Sequence, residues 1–318
     1  MKTLSRAVCR LLFRISAEET RYVRRRFRGA NETMRARLEE IGAIFLHGYS
    51  AALNSRDLTH LEWQLNHVQL ELRGFAFEGA AMGVALLDRL TPWQNSCLAQ
   101  LANGAGKPHI YMLHVGVGWI WARLPSFLRR NAAGLDPLLR WLAFDGWGFH
   151  EGYFHWDKYI GGEPAPARLR GYETRVFDQG LGRSFWFVNG GNPAWISRSL
   201  ANFSAERRGD LWSGIGLAAT YAGIAGETDL VELRRLAGIH ASELAQGAAF
   251  AAKARLRAGN MAAHTEQASQ LLCDMSSVQA AQLTDMTLEN LPADGPQPAY
   301  EIWRSRIQNH FRETVMSG

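Results

Sequence analysis

An all-α fold of three degenerate helical-hairpin repeats, stacked as a solenoid or closed into a helical bundle, is what the sequence predicts, on three observations. A Glu/Gln-Gly element recurs among small and aromatic residues, as Phe77-Glu78-Gly79, His150-Glu151-Gly152 and Ala245-Gln246-Gly247. Glycine landmarks keep phase with it: Gly48-Tyr49-Ser50, Gly116-Val117-Gly118 and Gly214-Ile215-Gly216 begin 31, 36 and 33 residues before Gly79, Gly152 and Gly247. Apolar residues then recur at steps of three and four along most of the chain, which is the helical period. Units of this kind bury a shared core only by stacking on one another. Leu101-Ala102-Asn103 and Leu200-Ala201-Asn202, ahead of the second and third glycine pairs, form a weaker landmark in the same phase.

Taken in order, residues 1–30 form a basic arm and 31–292 the repeat domain, with units at about 31–94, 95–163 and 195–292. Asn31 caps a helix to about Leu53, with Met34, Leu38, Ile41 and Phe45 as its apolar positions. Ser55 or Asp57 caps the next helix through Leu61, Leu65, Val68 and Leu72, and a small-residue helix from Gly74 ends before Thr91-Pro92. A glycine inside a helix costs about 1 kcal/mol against alanine. Gly79 and Gly83 therefore call for the close approach of a neighbouring helix or a ligand. The second unit starts at Asn95, passes Gly116-Val117-Gly118, restarts at Asp136-Pro137 and ends near Ile160. Gly161 to Pro166 is a break, and the β-prone Phe185-Trp186-Phe187-Val188 predicts a hairpin or ordered loop inserted at 164–194. The third unit holds helices at 211–221, 229–236 and 240–257, then a polar pair at 262–273 and 276–291. Pro292, Pro296 and Pro298 precede a final helix from Tyr300 to Phe311 within residues 293–318.

The 318 residues are 47% hydrophobic and 20% charged, as in a globular protein with a large core. The charge of +5 is mild, and much of it sits in Arg21-Tyr22-Val23-Arg24-Arg25-Arg26-Phe27-Arg28. That run reads as a solvated arm, or as a contact for phosphate or an anionic membrane. No nucleic-acid motif accompanies it. Cys9, Cys97 and Cys273 are scattered, which fits a reduced cytoplasm and supports neither a disulfide framework nor a zinc site. Arg6, Arg10 and Arg14 break the apolar start into an amphipathic basic helix, so peripheral membrane contact is an option and a signal peptide is not. No run approaches the roughly 18 apolar residues a span requires.

Chemistry concentrates in Gly146-Trp147-Gly148-Phe149-His150-Glu151-Gly152-Tyr153-Phe154-His155-Trp156-Asp157. On a helix Glu151 and His155 share a face, as do Tyr153 and Asp157. That face reads as a proton-transfer site, as a metal pair short of ligands, or as a buried hydrogen bond with no chemistry. Repeat symmetry places Glu78, Glu151 and Gln246 at matching positions. Convergence in an apolar interior would raise the carboxylate pKa values and suit a general acid. The alternative makes all three packing residues satisfied by backbone. Phe77, Trp147, Phe149, Phe154 and Trp156 line a pocket for an apolar ligand or belong to plain core. Gly180-Leu181-Gly182-Arg183 is too short for a dinucleotide fingerprint, and reads as a turn with Asp178 and Arg183 paired or as an anion nest. His264 or Thr265 is a helix cap. No metal or cofactor is expected.

Phe177 to Ser184, Asp210 to Ala218, Leu244 to Ala251, and Gly259-Asn260 with His264-Thr265-Glu266 resemble a bacterial domain-of-unknown-function family whose members are often labelled enediyne biosynthesis proteins. Gly148-Phe149-His150-Glu151-Gly152 is also similar, and the resemblance covers most of residues 30–292. It implies a part in making a specialised metabolite from an unsaturated, apolar carbon chain, and carries no catalytic residue with it. Joined to the residues, the expectation is an isomerase, cyclase or hydratase working on a polyene or isoprenoid-like substrate in a helical cavity. Glu151 and Glu78 are its acid/base groups and His150, His155 and Asp157 position them. Gln246, Trp147, Phe149, Phe77, Trp156 and Arg183 contact the substrate. The rival expectation is a non-catalytic carrier of a hydrophobic intermediate, or a scaffold for pathway enzymes.

Overall fold

The computed structural model describes residues 12–90, 96–125 and 135–317. Arg6, Arg10, Cys9 and the Thr91-Pro92 and Asn95 boundaries lie outside the described residues. Every regular element among the described residues is helical. Apart from short turns such as Ala17–Thr20 and Tyr22–Arg25, the first six helices are α1 (Glu32–Asn54), α2 (Leu58–Asn66), α3 (Arg73–Leu90), α4 (Cys97–Asn103), α5 (Ile110–Arg123) and α6 (Leu142–Phe154). After them come α7 (Tyr172–Val188), α8 (Pro193–Ala201), α9 (Ala205–Ala222), α10 (Glu227–Ala237), α11 (Ala241–Ala258), α12 (Ala263–Cys273), α13 (Ser277–Met286) and α14 (Ala299–Ser317). The chain divides into two compact units, one of residues up to Arg26 with Ala36–Trp147, the other of Phe27–Arg35 with Gly148 onward.

Helix starts follow the expected chemistry. Asn31 Oδ1 accepts from Met34 N at 2.9 Å and Asp57 Oδ1 from His60 N at 2.8 Å, each satisfying an amide that the first turn leaves open. Ser55 instead donates to Gln64 Oε1. Thr265 does not cap its own helix: its hydroxyl donates to Thr220 O at 3.0 Å.

In the first unit, α1 crosses α3, α3 crosses α5 and α5 crosses α6 at glycines with no room for a side chain. A Cβ on Gly48 would lie 1.9 Å from Ala76 O, and one on Gly79 would lie 1.9 Å from Phe45 O. The geometry is reciprocal, since each glycine faces the carbonyl three residues before its partner. Gly118 and Gly146 repeat it between α5 and α6. Between α3 and α5 an alanine, Ala81, stands where the second glycine would, opposite Gly116.

The second unit continues the pattern. Gly182 and Gly214 meet reciprocally between α7 and α9, as do Gly216 and Gly247 between α9 and α11, while Gly148 faces Phe177 O between α6 and α7. Residues two apart on a helix point about 200° apart. A Gly-x-Gly therefore serves two opposite faces, one for the preceding long helix and one for the next. Gly116-Val117-Gly118 and Gly214-Ile215-Gly216 are such two-faced elements. The sequence phase holds for Gly48 with Gly79 and shifts elsewhere, because Gly118 pairs with Gly146 and Gly216 with Gly247. Shorter helices α8, α10 and α12 pack side by side as a second row, and α14 lies along α11 and α13. Trp303 of α14 donates Nε1 to Thr284 O at 2.8 Å.

The expected hairpin is helix α7. Phe185, Trp186 and Val188 are fully buried and Gly182 sits at the α9 crossing, so tertiary packing overrides the β propensity of the aromatic run. Asp178 and Arg183 are therefore helical, and Asp178 pairs with Arg207 (2.7 and 2.8 Å) rather than with Arg183. The arm is exposed at Arg21, Arg24 and Arg26, but Phe27 and Arg28 are half-buried in the second unit.

Candidate functional site

Glu78 is on α3 in the first unit and is buried. Its Oε1 accepts from the indole Nε1 of Trp119 at 2.9 Å. Gln246 is on α11 in the second unit and fully buried, its Oε1 accepting from Ser213 Oγ at 2.8 Å and from Arg304 Nε and Gln308 Nε2 at 3.3 Å. Each precedes a crossing glycine. Asp145 and Ser213 precede Gly146 and Gly214 in the same manner, and both are fully buried, as is Gln179 before Gly180. On α6 the counterpart of Glu78 and Gln246 is thus Asp145, and Glu151 stands outside the series. Gly152, beside Glu151, faces Ser184 Oγ and Leu181 on α7.

Glu151 belongs to the last turn of α6, where the helix stops at Phe154 and the chain bends through His155 into the single turn Trp156–Tyr159. Its side chain keeps 14% of its exposure. His150 Nδ1 lies 3.6 Å from Oε1, and the Tyr159 hydroxyl donates to Oε2 at 3.4 Å. Burial pushes this carboxyl up, but the adjacent His150 and its charge, the charge of His155 and the bond from Tyr159 outweigh it and hold the pKa below the usual value. The expected rise does not occur, so Glu151 is an anion at neutral pH and a base rather than an acid. Burial, reinforced by the Glu151 charge, pushes the Tyr159 hydroxyl up, which keeps it a donor.

Aromatic rings continue from this pair. His150 is buried with its ring 4.8 Å from Phe154, and Phe154 meets Tyr153 at 5.3 Å. Tyr153 stacks on Phe149 at 6.0 Å, and Phe149 lies edge-on to Phe187 and 5.0 Å from the Arg183 guanidinium. His155 and Asp157 are exposed, and Asp157 accepts only from its neighbour Lys158 N at 3.1 Å among its hydrogen bonds. The second unit thus joins Glu151, His150, Phe149 and Arg183 in one neighbourhood, with His155 acting through its charge, while Trp156 meets Phe27 and Arg28. Phe77 and Trp147 are buried in the first unit, Phe77 stacked on His109 at 4.4 Å.

A family model described as "Protein of unknown function (DUF1702)" matches residues 4–311. The chain belongs to the DUF1702 family. No curated protein and no solved structure matches it. In this DUF1702 chain the described residues hold no cluster of three or more His, Cys, Asp or Glu suited to a metal ion, and no helix among them is long and apolar enough to cross a membrane.

The DUF1702 chain also buries an ionic network that pattern reading passed over. Asp210 on α9 receives a two-pronged contact from Arg175 (2.9 and 3.1 Å) and a third bond from the fully buried Arg304 of α14 at 2.9 Å. Glu301 accepts from Arg175 at 2.6 Å, from Tyr172 at 2.7 Å and from Arg304 at 3.3 Å. Two arginines thus balance two carboxylates, which locks α14 onto α7 and α9. Such residues read as surface charge in a sequence, because their partners are up to 132 positions away.

Proposed function

We propose that this protein is a biosynthetic enzyme of specialised metabolism, built as stacked helical hairpins, that moves a proton on an apolar polyene or isoprenoid-like substrate. The observation that carries the reading is the Glu151 carboxylate, largely buried but still reached by solvent, held ionised against His150 and Tyr159 at the end of a run of aromatic rings. Within the predicted set Glu78 and Gln246 are tied into helix crossings, which leaves Glu151 for chemistry. An anionic carboxylate beside an apolar surface takes a proton from one carbon of an unsaturated chain. Returning it from the protonated carboxyl to another carbon completes an isomerisation, whereas cyclisation or hydration would begin by protonating the chain and would need a protonated acid in place of the Glu151 anion. His150 orients the base and Tyr159 holds its second oxygen.

The test replaces Glu151 by Gln in a reconstituted pathway. A folded Glu151→Gln protein should lose product formation by about 100-fold or more, the range in which positioned acid/base groups act. Full activity would end the assignment.

A non-catalytic carrier or scaffold is the second reading, favoured by the backbone-to-backbone glycine crossings, which leave the interior of each unit filled at those points. Native mass spectrometry of protein from its producing host, with solvent extraction, separates the two. A retained polyene that Glu151→Gln leaves chemically unchanged supports the carrier, and one that accumulates as substrate only in the variant supports the enzyme.

A further inference from the structure

We propose that Phe27–Ala30 is a strap that gates the aromatic end of the Glu151 neighbourhood, with Phe27 as the plug and Arg28 as the catch. The inference rests on the ligand reading above for its purpose, though not for its geometry. Phe27 sets its ring edge-on to Tyr153 at 5.0 Å and 88°, and stands 6.5 Å from Trp156. Tyr153 is the ring that leads through Phe154 to His150, so Phe27 closes the outer side of that path.

Arg28 gathers most of the attachment into one residue. Its Nε donates to Asn189 Oδ1 at 3.1 Å, its Nη2 donates to Ser199 Oγ at 3.3 Å, and its backbone N–H donates to Val188 O at 2.9 Å. The guanidinium also lies 4.4 Å from the Trp195 ring and 5.7 Å from that of Trp156. Gly29 and Gly190, both left-handed at φ +86° and +58°, let the two backbones touch: a Cβ on Gly29 would lie 2.3 Å from Asn189 O, and one on Gly190 would lie 2.3 Å from Ala30 N. The fit is close, and its side-chain contacts come from the half-buried Phe27 ring and Arg28 guanidinium at the surface of the second unit. Contacts of that kind open locally while a buried helix row stays closed.

An apolar ligand approaching Tyr153 and Phe154 from this side must displace Phe27. The strap therefore sets the rate of entry, and releasing Arg28 frees the plug without altering a residue of α6. Aromatic walls and a polar catch suit a planar, conjugated hydrocarbon chain. Such a ligand stacks on the rings and offers nothing to compete for the hydrogen bonds of Arg28.

The experiment uses the full chain with Arg28→Ala and Phe27→Ala as separate variants and diphenylhexatriene, an uncharged fluorescent conjugated polyene, as the probe. Hydrogen exchange of residues 27–35 reports the strap, and stopped-flow fluorescence reports probe entry. Arg28→Ala should raise both the exchange and the entry rate by about tenfold or more. Phe27→Ala should raise entry alone, because its catch is intact, and it keeps the test open should Arg28→Ala fold poorly. Exchange of 27–35 unchanged by Arg28→Ala overturns the strap, as does a probe that enters wild type and both variants at one rate. Faster exchange in Arg28→Ala with no probe bound by any form supports the strap and overturns the ligand reading instead.

Discussion

His109 offers the sharpest test of the packing in the first unit. It precedes α5, with its ring stacked on Phe77 at 4.4 Å and its Nδ1 buried without a hydrogen-bond partner. Burial, with the charge of Arg73 in support, lowers its pKa from 6.5 to about 4. The folded state thus favours neutral imidazole, while the unfolded chain takes up a proton already near pH 6.5. Between those values the unfolded state binds more protons, so stability falls as pH drops from about 6.5 to about 4 and is unaffected by this group well above that window. A shift of that size, at about 1.4 kcal/mol per unit, is worth about 3 kcal/mol. Replacing His109 by Leu removes the titration and keeps an apolar side chain against Phe77, at a constant loss of roughly 1 kcal/mol of ring stacking. Urea unfolding at pH 7.5, 6.5, 5.5 and 4.5 measures the difference between the two proteins. Local hydrogen exchange of residues 73–90 and 110–123 isolates the first unit. The variant should start slightly less stable and become the more stable protein as the medium acidifies. A difference that stays constant over the range, within about 0.5 kcal/mol, would refute the neutral buried histidine.

Two further predictions bear on the second unit. Gly216→Ala, whose Cβ would meet Leu244 O at 1.9 Å, should destabilise by about 3 kcal/mol through forced separation of α9 and α11, whereas Gly226→Ala, with open space around it, should stay within about 0.5 kcal/mol in the same thermal unfolding assay. Arg304→Met leaves Asp210 and Glu301 with one arginine between them and should cost about 3–5 kcal/mol, read as loss of hydrogen-exchange protection along α14.

Helical class, the caps at Asn31 and Asp57 and the weight of the Glu/Gln-Gly elements were all legible in the sequence, because each depends on residues a few positions apart. Register was not. A glycine that serves a crossing looks the same whichever neighbour it faces, and the two-faced reading of Gly-x-Gly needs the order of helices in space. Helix α7 was hidden by the β propensity of Phe185-Trp186-Phe187-Val188, which counts for little once those rings are buried from several sides. The cluster around Asp210 was illegible for another reason: Arg175, Glu301 and Arg304 carry no local pattern that marks them as buried. The candidate site was legible at Glu151 and His150, where the partners are adjacent. Tyr159 followed only from the bend after Phe154.

The crossings explain why a polar residue so often stands immediately before a glycine in this chain. Where two helices approach to backbone contact, the next position along each is forced into the interior with little volume and much unsatisfied amide and carbonyl nearby. Val115, Val117, Trp147, Leu181 and Ile215 hold that position before other crossing glycines as apolar side chains, whereas a polar residue there, such as Glu78 or Gln246, must find a bond. Glu78 meets this with Trp119, and Gln246 does so with Ser213, itself the residue before the next helix's crossing glycine. The polar-glycine pair is thus one packing device used on several helices, and its carboxylate is no sign of catalysis. Glu151 follows a different logic. The glycine after it meets a serine side chain rather than a carbonyl, its helix ends within a turn, and its carboxylate keeps part of its exposure beside a histidine. Chemistry in this fold is expected where the packing rule lapses, and in the predicted set it lapses at Glu151.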